Sequence, residues 1–225
     1  MKRTLILALV LLLLLTLFAG AHAETITTDL IPLVKNQGAE YMFTVNEDGS
    51  LHVLAKKQDY SGDAYADSFH ILGRNVADFT LEFDYTSAAV WQQDRISFRC
   101  QAEENEWNQY MILFKGLELG EGQRGISLIK GEDRDHPFAY EEIWLDPGVQ
   151  FFCRLVVEGH KITMYFDENP EFPFGPLFEV ELPAGKTSEE TAYRDEYLAA
   201  GDFQIVSWGG DFVMTYFNLI EEKAE

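Results

Sequence analysis

Two short polar sets hold the chemistry that this sequence could perform. In DFTLEFDYTS, Asp78 to Ser87, Glu82 and Asp84 stand two residues apart. In RISFRCQ, Arg95 to Gln101, the polar residues Arg95, Ser97, Arg99 and Gln101 alternate with Ile96, Phe98 and Cys100. Alternation with period two marks a strand with one face in a core and the other turned away from it. Carboxylates and guanidinium groups fixed on such a face suit the adjacent hydroxyls of a sugar, because each makes paired hydrogen bonds in a set geometry. A sugar also presents a C–H face that stacks on an aromatic ring. Trp91, Trp107 and Tyr110 are the aromatics near these strands; Trp144, Tyr165 and Trp208 are more distant. The expected ligand-binding set is therefore Arg99, Glu82, Asp84, Trp91, Trp107 and Tyr110. Two carboxylates two apart on a strand are about 7 Å apart at Cα, within the roughly 5–9 Å of a glycosidase pair. A nucleophile elbow of the G-x-S-x-G type is absent from the sequence.

These residues need strands to hold them. The clearest are in VQFFCRLVVEGHKITMYFDE, Val149 to Glu168. Gly159-His160 reads as a two-residue hairpin loop, since glycine supplies the positive φ that such turns require. That loop places Val157 opposite Ile162, Leu155 opposite Met164 and Cys153 opposite Phe166 on a core face. Arg154, Val156, Thr163 and Tyr165 fall on the other face. Leu81, Phe83 and Tyr85 form the apolar face of the Glu82 strand. Further strands are expected at Leu30–Val34, on both sides of the turn Asn46–Gly49, at Trp107–Lys115, Gly125–Lys130, Phe138–Trp144 and Leu177–Glu181. Asp202–Trp208 and Asp211–Ile220 read as a closing hairpin around Gly209-Gly210. Residues 58–75 read mostly as loop, and the segment after Asn169 is rich in proline. Lys186 to Gly201 is the one helical candidate, with Thr187 as N-cap, Glu190 at N3 and Gly201 as the stop; an acidic surface loop is the alternative. Many short strands with at most one short helix imply an all-β, two-sheet antiparallel sandwich or a barrel.

Composition sets the address and the partners. Met1-Lys2-Arg3, the aliphatic run Thr4–Phe18 and Ala21-His22-Ala23 read as a signal peptide over residues 1–23. Residues 24–225 are then one secreted, extracellular domain, not membrane-embedded. The chain has 38 Asp and Glu against 17 Lys and Arg. Such an acidic protein repels nucleic acid and anionic membranes. Export permits a Cys100–Cys153 disulfide, for which chain entropy gives roughly 4 kcal/mol; two buried thiols are the alternative. No cofactor motif is present. Calcium is the one ion with acidic clusters to suit it, Asp59, Asp63 and Asp67, or Glu132, Asp133 and Asp135, although neither has EF-hand spacing.

Four stretches in order, ADFTLEFDYTS, DRISFRCQ, FFCRLVVEGHKITMYFDE and GDFQIVSWGGDFVMTYFNLI, resemble the concanavalin A-like lectin/glucanase superfamily, whose fold is a two-sheet jelly roll. Within it the chain is similar to secreted 3-keto-disaccharide hydrolase-like domains and to laminin G-like modules. The resemblance spans roughly Tyr41 to Ile220. It implies a carbohydrate-binding protein that takes a neutral saccharide on the concave face of one sheet, with Arg99 at its centre. It also leaves two other readings: a glycoside-cleaving enzyme of the 3-keto-disaccharide hydrolase-like type, with Glu82 as acid or base, and a module for an extracellular protein partner. The E-x-D-x-x-E strand of the superfamily's paired-carboxylate glucanases is missing from this sequence, so the reading leans away from catalysis.

Overall fold

The computed structural model describes residues 24–35, 43–54, 66–88, 93–101, 108–116, 124–131, 133, 135–183 and 197–223. The chain divides into two compact units, one made of its ends (to Ile26 and from Glu222) and one spanning Thr27–Glu221. The strands in chain order are β1 (Glu24–Asp29), β2 (Phe43–Val45), β3 (Leu51–Leu54), β4 (Ala66–Val76), β5 (Phe79–Ser87), β6 (Gln93–Cys100), β7 (Tyr110–Lys115) and β8 (Gly125–Lys130). They continue as β9 (Ala139–Glu141), β10 (Gln150–Glu158), β11 (Lys161–Asp167), β12 (Phe178–Glu181), β13 (Gly201–Trp208), β14 (Asp211–Met214) and β15 (Phe217–Lys223). One short helix, α1 (Ile31–Lys35), follows β1.

Two antiparallel sheets form a sandwich. The larger sheet runs β12-β11-β10-β5-β14-β3-β2, with β15 also paired to β5. The second sheet runs β4-β13-β6-β7-β8-β9. Between them lies one core, built from the apolar faces that the alternation marks. Phe79, Leu81, Phe83 and Tyr85 of β5 are all buried. Phe79 meets Phe98 and Phe203 edge-on at centroid distances of 5.9 and 5.0 Å, and Tyr85 stacks on Phe114 at 4.8 Å. Contacts of this kind add about 0.5–1.5 kcal/mol each to the burial itself.

The β10–β11 hairpin has the register expected from sequence: Val157 opposite Ile162, Leu155 opposite Met164, Cys153 opposite Phe166. Gly159 takes φ +54° in the loop. The β2–β3 hairpin also closes at Asn46–Gly49, where Gly49 N donates to Asn46 O at 3.0 Å.

Several expectations are corrected. Leu30–Val34 is not a strand, and Ile31–Lys35 is helical. Asp29 Oδ1 accepts a hydrogen bond from Ile31 N at 3.0 Å, and Pro32 is tolerated because first-turn N–H groups lack helical partners. Residues 66–75, read mostly as loop, belong to the strand β4, which pairs with β13. The expected strand 138–144 contracts to β9, Ala139–Glu141.

The closing stretch is not a hairpin. β13 lies in the second sheet and β14 in the larger one, so the chain changes sheets at Gly209-Gly210. Most of the helical candidate at 186–201 lies outside the described residues. Its stop, Gly201, opens β13 instead. A Cβ there would lie 2.4 Å from the carbonyl carbon of Arg99, so the close approach of β13 to β6 requires glycine.

Cys100 and Cys153 are buried free thiols, so the disulfide reading is not realised. They stand on strands of different sheets, and Cys100 donates to Gln109 Oε1 at 3.0 Å. Burial pushes both thiols well above their usual range, which keeps them protonated.

One acid joins the sheets. Asp94 of β6 is buried and accepts hydrogen bonds from Tyr85 Oη at 2.7 Å and Ser207 Oγ at 2.6 Å. Burial pushes its carboxyl up to about 7, against the pull of the two hydroxyls.

Candidate functional site

The expected binding set is not brought together, because β5 and β6 lie in different sheets. Glu82 and Asp84 are on the outward face of the larger sheet. Arg95 and Ser97 are on the outward face of the second sheet, opposite Leu113 and Met111, beside a small buried cluster of Met111, Leu113 and Ile129.

Arg99 faces neither way. Asp202 pairs with Cys100 and Gln204 with Ser97. Two residues of β6, Phe98 and Arg99, therefore stand against Phe203 alone. This bulge breaks the alternation, and Arg99 adopts φ +50°. Its side chain turns inward and is 0% exposed. There it donates to Ala77 O at 3.0 and 2.7 Å, Leu198 O at 3.1 Å, Gly159 O at 2.9 Å and Tyr197 Oη at 3.1 Å. Arg99 thus ties the loops at one end of the sandwich together. Tyr110 is likewise inside, next to Phe98 at 5.7 Å, and its hydroxyl accepts from Leu198 N. Trp91 and Trp107 lie outside the described residues.

Asp84 is buried as well. It accepts hydrogen bonds from Gln150 Nε2 (2.6 Å), Thr215 N (2.6 Å), Thr215 Oγ1 (2.7 Å) and Tyr216 N (3.1 Å). It therefore holds the bend between β14 and β15, which splits the single strand expected at 211–220.

Among the described residues of the set, Glu82 is the one that lines an open site. On the outward face of the larger sheet, register aligns Tyr165, Arg154, Glu82 and Asn218 in one row across β11, β10, β5 and β15. Arg154 Nε donates to Glu82 Oε1 at 2.6 Å. The Phe172 ring lies 5.0 Å from the guanidinium carbon and 5.5 Å from the Tyr165 ring. Glu82, Arg154, Pro170, Phe172, Tyr216 and Asn218 enclose a groove of about 320 Å³. The Arg154 side chain is 41% exposed, so this partly solvated ion pair contributes no more than about 1 kcal/mol to stability. Tyr216 is pushed up to about 12, chiefly by burial and then by the negative charge of Asp84, so its phenol stays neutral.

The loop over the groove is tightly turned. Phe172 N donates to Asn169 O and Gly175 N to Phe172 O, both at 3.0 Å, and Glu171 N donates to Asn169 Oδ1 at 2.9 Å. Phe172 itself holds φ +46°, a conformation costly for a bulky residue and one that clusters at ligand clamps.

Sequence reasoning placed Arg154 on a non-core face without assigning it to the site, named Tyr165 only as a more distant aromatic, and missed Phe172. An aromatic residue inside a proline-rich loop was the available signal. Asn218 is the second residue of β15.

No family model matches the chain, and no curated protein matches it in sequence. Among solved structures, the exoplasmic/lumenal domain of VIP36 in its Ca2+/Man3GlcNAc-bound form has a TM-score of 0.56 at 8% identity, over 89% of this chain and 86% of that one. A protein of unknown function with a galectin-like fold from Bacillus subtilis has a TM-score of 0.56 at 10% identity, over 89% and 91%. This fold is the concanavalin A-like, galectin-like β-sandwich. A β-1,3-glucanase from Mycobacterium marinum shares it at a TM-score of 0.54 and 11% identity, over 79% and 77%. Identities this low carry the likeness of fold and nothing further. Within this sandwich, the groove lies on the sheet that contains the β10–β11 hairpin. No group of three or more His, Cys, Asp or Glu that could hold a metal occurs among the described residues; both acidic clusters fall partly outside them. No helix among the described residues is long and apolar enough to cross a membrane.

Proposed function

We propose that this is a secreted saccharide-binding protein and that the groove over Arg154 takes a neutral sugar. The observation that supports this reading is the Tyr165–Arg154–Glu82–Asn218 row, roofed by Phe172. Glu82 fixes the guanidinium at Nε, and its terminal nitrogens are the donors left for a pair of sugar hydroxyls. Asn218 and Tyr216 add a carboxamide and a neutral phenol. Phe172 offers a ring to the sugar's C–H face. Around one cation stand the carboxylates of Glu82 and Asp84, in a chain with a formal net charge of −21; an acidic sugar is therefore disfavoured. VIP36, which shares the fold, is seen with Man3GlcNAc and Ca2+ bound.

Glu82 is the one carboxylate among the described residues lining the groove, whereas glycoside hydrolysis by the usual routes uses two. The reading is therefore binding without cleavage.

The test is a glycan array of the protein from Glu24 onward, followed by calorimetry on the hits, with Arg154→Ala alongside. Arg154→Ala should lower affinity by about 30-fold or more, the scale of a lost charge-assisted pair, with the circular dichroism spectrum unchanged. Undiminished binding by the folded variant rejects the groove. Absence of binding to any glycan rejects the function.

A further inference from the structure

The arrangement at Arg154 occurs a second time. Arg124 donates through Nε to Glu142 Oε1 at 2.8 Å, and its NH2 nitrogen lies 2.8 Å from the same oxygen. Its guanidinium carbon lies 4.1 Å from the centroid of the Trp144 ring. Tyr140 Oη donates to Arg124 O at 2.7 Å and fixes the backbone from which this side chain springs. The set stands at the edge of the second sheet, on and just beyond β9, with Arg124 immediately before β8.

Both places share three parts: an arginine held at Nε by a glutamate, with an aromatic ring over the guanidinium. They differ in what they expose. The Arg124 side chain is 19% exposed, while Trp144 is 58% exposed. The guanidinium backs the ring and fixes its orientation, which lowers the entropy lost when a ligand settles on it.

We infer that Trp144 is a second saccharide-binding point, a stacking platform for the C–H face of a neutral sugar unit, so that the protein grips a polysaccharide at two places. A cation already on one face of the indole draws its π density and disfavours a second cation on the other. The strongly acidic chain repels anions. A neutral ligand that offers C–H groups and hydroxyls remains, with Glu142 beside the ring to accept from a hydroxyl. The inference rests on the saccharide reading of the Arg154 groove. It adds that two weak points on one chain give polymers an advantage over short sugars.

The experiment is affinity electrophoresis through gels containing a soluble neutral β-glucan, mannan or xylan, paired with calorimetry on a short oligosaccharide of whichever polymer retards the wild type. Trp144→Ala should bind the short sugar as the wild type does but lose about 10-fold in polymer affinity. Trp144→Phe, which keeps a ring, should retain most of it. Arg154→Ala should keep residual polymer binding, and adding Trp144→Ala to it should remove that remainder. Equal retardation of wild type and Trp144→Ala by that polymer overturns the inference. Retardation that survives Arg154→Ala undiminished but vanishes in Trp144→Ala supports the platform and rejects the groove. No retardation of the wild type by any of the three polymers overturns the platform, and calorimetry on the array hits then decides the groove by itself.

Discussion

Arg154 and Arg124 are held alike and expose opposite partners. At Arg154, the carboxylate of Glu82 grips Nε, Phe172 covers one face, and the guanidinium looks into a groove. At Arg124, the carboxylate of Glu142 grips Nε and the guanidinium serves as support for an outward indole. A hydrogen-bonding cation selects by geometry, since its donors reward only hydroxyls placed to meet them. A bare ring selects weakly, since it rewards any apolar patch of the right shape. The same three residue types therefore suit discrimination where the arginine's donors face a groove and adhesion where the indole faces outward.

Both sites rest on one sandwich, so a change in its core should act on them equally, and Asp94 provides the largest such effect. Its carboxyl is raised to about 7 by burial, so the folded state holds a proton that the unfolded chain releases near pH 4. That contribution is fully present below pH 4, is lost as pH rises from about 4 to about 7, and is flat above. It amounts to about 4 kcal/mol over the window. Asp94→Asn should remove this decline. Thermal melts between pH 4 and 8 check it, and an Asp94→Asn variant whose stability still falls over that window would sink the assignment.

Asp84→Ala comes next, and should separate the two sites. It frees Thr215 N, Thr215 Oγ1, Tyr216 N and Gln150 Nε2 from one buried acceptor. A loss of about 3 kcal/mol in urea unfolding is expected. Binding at the groove should weaken because Tyr216 and Asn218 lose their anchor, while the Trp144 platform keeps its share of polymer binding. Equal loss at both sites would mean that they are not independent.

The smallest effect tests the supporting role of Glu142. Glu142→Gln keeps a hydrogen bond to Arg124 but removes the charge, so the indole should lose some of its fixed orientation. Polymer affinity should fall about two- to threefold, with binding of the short sugar unchanged. A loss as large as that of Trp144→Ala would make Glu142 a ligand contact in its own right.

The sequence was legible wherever neighbours along the chain decide the outcome. Alternation in β5 specified which of its side chains enter the core, because successive residues of a strand must point to opposite faces. Gly159 specified the β10–β11 register, because a two-residue loop leaves only one pairing. Glu82 was legible for the same local reason. Arg99 was not: one extra residue in β6 opposite Phe203 turned a residue suited by type and alternation to a ligand into an interior tie. The sign of that change depends on β13, a hundred residues away.

Sheet membership was equally hidden. β5 and β6 follow one another in the chain, yet they lie on opposite sides of the core, so the polar faces of Glu82 and Ser97 never meet. Arg154 and Asn218 reach Glu82 only because β10 and β15 pair on either side of β5. Periodicity fixes which face of each strand is apolar. Which strands lie side by side is decided by burial and hydrogen bonding summed over segments far apart in the chain, and that sum exists only in the folded sandwich.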